Sequence, residues 1–242
     1  MRPSSMHYFP LTWPFLLALF VLFFLVVALI ELGLLKYAYE RMGVPPRYVL
    51  AVLLLSLLGS AVNIPVAELP SHEVVSGGWI DFYGVRYVIP VVREWPGTVV
   101  AVNVGGALIP TILSFYLLIK NRLWLRGLLS VAAVALVAHW LARPVPGLGI
   151  SLPIFVPPIV AALTAVVIGR QQATPLAYVA GSLGTLIGAD LTNLDKIQAL
   201  GAPVASIGGA GTFDGIFVAG IVAVLLAPVS PSRRIPRQSS DK

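Results

Sequence analysis

The sequence predicts an all-α integral membrane protein: a bundle of seven transmembrane helices with a small extramembrane β-hairpin between helices two and three. Hydrophobic residues make up 58% of the 242-residue chain and charged residues only 11%, whereas about a quarter of the residues in a soluble domain are charged. Several apolar runs approach or exceed the roughly 20 residues that a helix needs to cross a bilayer. We therefore predict a single polytopic membrane domain over residues 1–229.

The predicted spans are apolar runs separated by short polar loops or by proline and glycine. They cover residues 11–37, 48–69, 97–119, 123–142, 150–168, 175–192 and 212–228. The first run is too long for a signal peptide, and no small-residue cleavage site follows it. We therefore expect it to remain as the first membrane span.

Irregular points are predicted inside several spans. The second span turns polar at Asn63 and Pro65, where the proline removes a backbone hydrogen bond. The third contains Asn103 close to a Gly-Gly pair and Pro110, which predicts a kink. The fifth begins with three prolines between residues 153 and 158, which predict a broken or partly extended entry.

The extramembrane parts are few. Residues 79–83 and 85–92 are β-branched or aromatic with Gly84 between them, which predicts the β-hairpin within residues 70–96. A connection over 193–211 follows the sixth span, with one short helical turn at 194–200. The tail, 230–242, is basic and polar and is predicted to be a disordered cytoplasmic tail.

The distribution of Lys and Arg predicts the orientation. These residues concentrate in the loops at 36–47, 120–126 and 170 and in the tail, and such loops remain in the cytoplasm. We therefore predict a multi-pass protein of the cell membrane with its N-terminus outside and its C-terminus in the cytoplasm. The net charge of +6 is explained by these loops, so the lipid bilayer is the expected partner and nucleic acid is not.

This topology brings the polar residues of the spans to similar depth. Asn63, His139 and Asp190 lie at the outer ends of spans two, four and six, and Asn103 and Asp214 lie at the outer starts of spans three and seven. An ionisable side chain at membrane depth is costly and marks a functional site by default. We therefore predict one polar cavity, open to the outside, around Asp190 and Asp214.

Further residues are predicted to line this cavity. Asn193 lies three residues after Asp190 and shares its face if the helix continues that far. The glycines before Asp214 let the backbone turn sharply. The predicted catalytic residues are Asp190 and Asp214, and the predicted substrate- or ion-binding residues are Asn63, Asn103, Asn193, Gly209 and Gly211.

Two functions, one catalytic and one in transport or binding, fit these predicted site residues. Two carboxylates that share one proton can act as general base on a water and general acid on a peptide carbonyl, which predicts hydrolysis of a membrane peptide. Alternatively, Asp190, Asp214, Asn63 and Asn103 are ligands for a cation or a proton in a transporter, channel or small-molecule-binding protein.

Two further hypotheses stay open. His139 and His72 are potential metal ligands, but neither has ligand spacing to a second histidine, and the absence of cysteine excludes thiolate sites and disulfides. We therefore predict no metal and no cofactor. In a structural or assembly subunit, Asp214 would be a helix N-terminal charge and the other polar residues would join helices by hydrogen bonds.

Several motifs carry a resemblance. The runs SIGGAGTFDGIF, GTLIGADLTNL, NVGGALIP and NIP resemble a prokaryotic family of multipass membrane proteins of unknown function, over most of the chain from Asn63 to Ala227. More remotely, the chain is similar to presenilin, signal peptide peptidase and prepilin peptidase, whose second motif is Gly-x-Gly-Asp. That similarity implies an intramembrane aspartyl protease, with Asp190 as the first catalytic aspartate and Asp214 as the second.

Overall fold

The long apolar runs of this chain form helices, the structure in which a backbone satisfies its own hydrogen bonds and can therefore cross hydrocarbon. The computed structural model describes residues 13–70, 72–82, 85–95, 97–145, 149–196, 204–209 and 215–228. Within these ranges the α-helices are α1 (Trp13–Met42), α2 (Pro46–Gly59), α3 (Ile109–Asn121), α4 (Trp124–Leu141), α5 (Val156–Gly169), α6 (Ala173–Thr185) and α7 (Gly215–Leu226).

Short helical segments of other types extend or join these helices. In the described ranges two are π-helical, Val104–Leu108 before α3 and Leu186–Asp190 after α6. Two are 3₁₀-helical, Arg170–Gln172 and Leu191–Lys196. Three continuous stretches in the described chain are long and apolar enough to cross a membrane: Phe20–Met42, Val104–Asn121 and Trp124–Leu141. The protein is therefore mostly helical with spanning-length helices, and the predicted number of seven spans is not confirmed.

Helix α6 is the centre of the bundle. Of its residues, all but Leu183 are buried, and it packs against α3, α4, α5 and α7. Gly184 and Gly188 allow α4 to approach: a Cβ at Gly184 would lie 2.5 Å from the Val134 Cβ, and one at Gly188 would meet the Ala135 carbonyl oxygen. Small residues thus set the distance between α4 and α6, as is usual between membrane helices.

Seven strands form three small sheets in the described chain. The first has the order β1 (Asn63–Leu69), β4 (Thr98–Asn103), β7 (Val204–Ile207), with β4 antiparallel to β1 and parallel to β7. The second pairs β2 (His72–Phe82) with β3 (Val85–Trp95), and the third pairs β5 (Arg143–Val145) with β6 (Gly149–Ser151).

The first two sheets share one antiparallel register. The pairing offset is the same from Ala67–Val100 through to Phe82–Val85, and it shifts by one residue between Pro65 and Ala67. Strand β1 therefore pairs with β4 in the same register in which β2 pairs with β3, and we call these four strands the ribbon. The bulge follows Pro65, a residue that has no N–H to donate to the ladder.

The ribbon corrects two predicted spans. Residues 63–69 and 98–103 were predicted as parts of helices two and three, but they are strands, and helix α2 ends at Gly59. The physical reason is that short apolar, β-branched runs fit a strand as well as a helix. The predicted hairpin is present and is longer than expected, since β2 and β3 each have 11 residues.

Other irregular points agree with the sequence. The entry to the fifth helix is extended up to Ser151, and α5 then begins with prolines in its first turn, where a missing N–H costs nothing. A 3₁₀-helical segment at Leu191–Lys196 covers the first part of the predicted helical turn, and the rest of that turn, 197–200, lies outside the described residues. The predicted tail, 230–242, lies outside the described residues.

Polar contacts join several helix ends at one end of the bundle. The Arg41 guanidinium donates to the carbonyl oxygen of Ala227, which follows α7, at 2.6 Å. Lys120, near the end of α3, donates to the carbonyl oxygen of Gly43, between α1 and α2. Gln172 donates to the Asn121 carbonyl oxygen at 3.4 Å. The basic loops of the sequence therefore meet at the same end.

Candidate functional site

The two π-helical segments meet at Gly208, which follows strand β7. The Gly208 N–H donates to the Asp190 Oδ2 at 2.8 Å, and Asp190 ends the second π-helical segment. A Cβ at Gly208 would lie 2.6 Å from the Ala107 backbone nitrogen in the first segment, and the φ of Gly208 is +89°. Glycine is therefore required here on both counts. Single π-helical turns occur frequently at functional sites.

Asp190 is half-buried and has no cationic partner in the described ranges. Its one hydrogen bond there is the one from Gly208, and the one ion pair in those ranges joins Lys36 to Glu40 at 3.9 Å. An unpaired carboxylate in a poorly solvated environment destabilises the folded state. Its cost makes Asp190 the best-marked functional candidate of the described chain.

Asn103 holds the first π-helical segment in place. Its Oδ1 accepts the Gly106 N–H at 2.8 Å, and its Nδ2 donates to the Ser60 carbonyl oxygen at 2.8 Å and to the Asn63 Oδ1 at 3.0 Å. The side chain is 1% exposed. Asn103 thereby joins the end of α2, strand β1 and the start of the π-helical segment, and it satisfies groups that a helix start leaves unpaired.

Ser206 connects this group to the end of β7. Its Oγ lies 2.6 Å from the Asn63 Oδ1 and 2.7 Å from the Gly209 carbonyl oxygen, and its single proton serves one of these acceptors at a time. Gly209 also has a positive φ, +82°. The chain then continues towards Gly211 and Asp214, both of which lie outside the described residues.

A second set of contacts closes the far end of α6. Asn193 is fully buried; its Nδ2 donates to the carbonyl oxygens of Gly188 (3.1 Å) and Ala189 (2.9 Å), and its Oδ1 accepts from Lys196 at 2.6 Å. The His139 Nδ1 lies 2.8 Å from the Thr192 Oγ1. These bonds satisfy carbonyls that the irregular helix end frees.

A row of buried hydroxyl groups lies deeper in the bundle. The Tyr39 hydroxyl has Ser56 and Tyr178 as its polar neighbours, and the Tyr178 hydroxyl has Ser182. The two tyrosine rings lie 6.5 Å apart. None of these hydroxyls makes a hydrogen bond of good geometry in the described structure. Buried polar groups without well-formed bonds are uncommon and call for an explanation.

The structure brings some of the predicted residues together. Around the end of β7 lie Asn63, Asn103, Gly209 and Asp190. Asn193, three residues beyond Asp190, instead binds the backbone carbonyl oxygens of the preceding helical turn. The sequence analysis missed Ser206 and Gly208 as contact residues. The available signal was the run Ser-Ile-Gly-Gly at 206–209, in which two glycines directly follow a short apolar stretch.

The described residues contain no group of three or more His, Cys, Asp or Glu side chains that could hold a metal ion. His139 contacts Thr192 and His72 lies in β2.

Fold and site together define a mostly helical protein whose apolar helices are long enough to cross a membrane. The buried Asn103 amide and the half-buried Asp190 carboxylate lie beside its three-stranded sheet. The chain belongs to the family described as Protein of unknown function (DUF1614), whose model matches residues 57–226. No curated protein and no solved structure matches the chain. The matched range runs from the end of α2 to the end of α7 and includes Asp190 and Asp214. The family carries no activity with it, so the similarity to aspartyl proteases stays a prediction.

Proposed function

We propose that the chain is a seven-span protein of the cell membrane, with the N-terminus outside, the tail in the cytoplasm and a polar cavity at the outer face. Support comes from the contacts of Arg41, Lys120 and Gln172, which gather the basic loops at one end of the bundle. Asn63, Asn103 and Asp190 belong to the opposite end, beside the sheet. Basic loops remain in the cytoplasm, so the site faces outward.

The proposed activity is hydrolysis of a membrane peptide by the carboxyl groups of Asp190 and Asp214. The observation that carries it is the hydrogen bond from Gly208 to Asp190, because it ties the first aspartate to the segment that leads to the second. In the described ranges Asp190 also forms no ion pair that would hold its carboxylate in the charged state. Both features suit a carboxyl group that has to exchange a proton.

The reaction follows general acid–base chemistry. One carboxylate takes a proton from water while the oxygen of that water bonds to the peptide carbonyl carbon, and the other carboxyl group gives its proton to the carbonyl oxygen. When the C–N bond then breaks, the nitrogen takes a proton from the first carboxyl group, and the second recovers its proton from a hydroxyl of the intermediate. The products are a carboxylic acid and an amine, and both carboxyl groups return to their starting state.

The test uses purified protein in proteoliposomes with a panel of single-span peptides, and new peptide ends are identified by mass spectrometry. Asp190→Asn and Asp214→Asn should each abolish cleavage, since an amide cannot exchange the proton. Asp195→Asn is the matched control, because Asp195 is an exposed carboxylate five residues after Asp190. Cleavage that persists in Asp190→Asn would reject the proposal.

A second candidate function is proton- or cation-coupled transport, which the buried hydroxyl row favours. Tyr39, Tyr178, Ser56 and Ser182 extend polar groups into an otherwise apolar core. Asp190 lies eight residues after Ser182 on a continuous helical segment, an axial distance of about 12 Å. Hydroxyls in such a row can pass a proton by turning, whereas an apolar core cannot.

Flux measurements separate the two functions. In proteoliposomes with an internal pH indicator, Tyr178→Phe should lower proton flux and leave peptide cleavage unchanged. Tyr116→Phe serves as control, since Tyr116 is 40% exposed on α3. Equal flux in liposomes with and without the protein would remove the transport candidate.

A further inference from the structure

A groove lies between α1, α2, α7 and the first π-helical segment. Its volume is about 160 Å³. Most of its lining is aliphatic or aromatic, from Leu32, Leu35, Leu50, Leu54, Leu57 and Phe217. The groove is separate from the contacts of Asp190, and it shares only Ser56 with the buried hydroxyl row.

The lining excludes water and favours hydrocarbon. Cavities lined by Leu and Phe stay dry, and one of about 150 Å³ accepts a ligand the size of benzene. A helix with its side chains is about 10–12 Å across, so a further helix does not fit inside. Leu32, Leu50, Leu54 and Leu57 are each more than 40% exposed on the same side. The groove therefore opens towards lipid.

The polar part of the groove lies at one end only. Ser56, Ser60 and Gly105 line that end, next to the bond between the Ser60 carbonyl oxygen and Asn103. From Leu50 in α2 to Ser60, which follows its end, the groove spans ten helical steps, an axial length of about 15 Å. This is half the thickness of the hydrocarbon core, about 30 Å. Its length and polarity match one leaflet of a bilayer.

We propose that this groove binds one acyl chain of a bilayer phospholipid in the leaflet on the side of the sheet. The chain lies along the leucines of α1 and α2, and the ester and headgroup region lies at Ser60 and Gly105, where the helices end. Ser56 is 5% exposed, lines the groove and makes no well-formed hydrogen bond of its own. Its hydroxyl lies beside the Tyr39 hydroxyl and by rotation can donate to an ester carbonyl in the groove instead.

The position of the bound lipid relative to Asp190 follows from the glycines. Gly105 and Gly106 form the wall of the groove at its polar end. Gly208 packs against the other side of the same backbone, because a Cβ added at Gly208 would lie 2.9 Å from the Gly106 carbonyl carbon. Gly208 in turn holds Asp190. One layer of backbone therefore separates the lipid ester region from the candidate site.

The test is photo-crosslinking of the full chain in bilayers that contain a phospholipid with a diazirine near the end of one acyl chain. Adducts are mapped by mass spectrometry. They should concentrate on residues 32–35 of α1 and 50–57 of α2. Leu54→Trp, which fills the groove, should lose these adducts. Leu55→Trp is the matched control, because Leu55 is 59% exposed on α2 and does not line the groove.

Several outcomes would overturn the proposal. Adducts spread evenly over the exposed leucines of α4, such as Leu128 and Leu136, would mean surface lipid only. Unchanged adducts in Leu54→Trp would place the lipid elsewhere. Labelling by a diazirine fatty acid or by a photo-leucine peptide, but not by the phospholipid, would assign the groove to a different ligand. If Leu54→Trp fails to fold, Leu57→Phe provides the same comparison.

Discussion

Asn103 makes more of the hydrogen bonds at the candidate site than any other predicted site residue beside the sheet. Replacing it with alanine leaves the Gly106 N–H and the Ser60 carbonyl oxygen without their partner. Each buried polar group left unpaired costs about 1–3 kcal/mol. We expect Asn103→Ala to lower the thermal unfolding midpoint in detergent clearly, measured by circular dichroism.

Asn63→Ala is the comparison for that measurement. Asn63 shares the bond to Asn103 but is exposed, so water can replace its contacts and the midpoint should shift less. If both variants lose the same stability, the contacts of Asn103 to Ser60 and Gly106 contribute little.

Single residues could be predicted where their chemistry conflicts with their surroundings. Asn63, Asn103 and Asp190 are polar groups in apolar runs, and that conflict alone selected them. Ser206 and Gly208 carry no such conflict. Their importance comes from the parallel pairing of Ala101 with Ser206, across more than a hundred residues, and no local pattern predicts such a pairing. Asp214 was selected in the same way as Asp190, and its role stays a prediction.

At the scale of elements, the packing of α4 against the π-helical segment that follows α6 gives a direct prediction. An added Cβ at Gly188 would meet the backbone of Ala135, which cannot turn away as a side chain can. Overpacking of this kind typically costs about 1–3 kcal/mol. Gly188→Ala should therefore lower the free energy of unfolding, measured by denaturant titration in mixed micelles.

The control lies in α1. A Cβ at Gly33 would have nothing within 4 Å, and alanine is better than glycine inside a helix by about 0.5–1 kcal/mol. Gly33→Ala should leave stability unchanged or raise it slightly. A Gly188→Ala protein as stable as the Gly33→Ala protein would show that the two helices can separate at little cost.

Elements were predictable where composition allows one structure only. Long leucine-rich runs gave helices, and the aromatic, β-branched stretch gave a hairpin. The runs at 63–69 and 98–103 are apolar and short, so they fit either type. The choice is made by pairing between β1 and β4 and by β7, which adds a third strand to β4. A tertiary contact decided their structure.

At the scale of the whole molecule, composition predicts membrane helices better than it predicts their number. Helices α2 and α7 have 14 and 12 residues, lengths of about 21 and 18 Å, which are shorter than the hydrocarbon core of about 30 Å. The strands and π-helical turns next to them take up residues that the sequence assigned to spans. The family match includes these irregular parts, since it covers 57–226.

The orientation can be tested because the chain has no cysteine, so each introduced thiol is the only one to react. Glu68→Cys and Asp195→Cys lie at the end with the sheet, and Arg126→Cys and Gln171→Cys lie at the basic end; all four native residues are exposed. With a membrane-impermeant maleimide, the first two should react in intact cells, and the other two only after the membrane is opened. This follows because basic loops stay in the cytoplasm. The reverse pattern would place Asp190 on the cytoplasmic side, and labelling of all four in intact cells would contradict a spanning bundle.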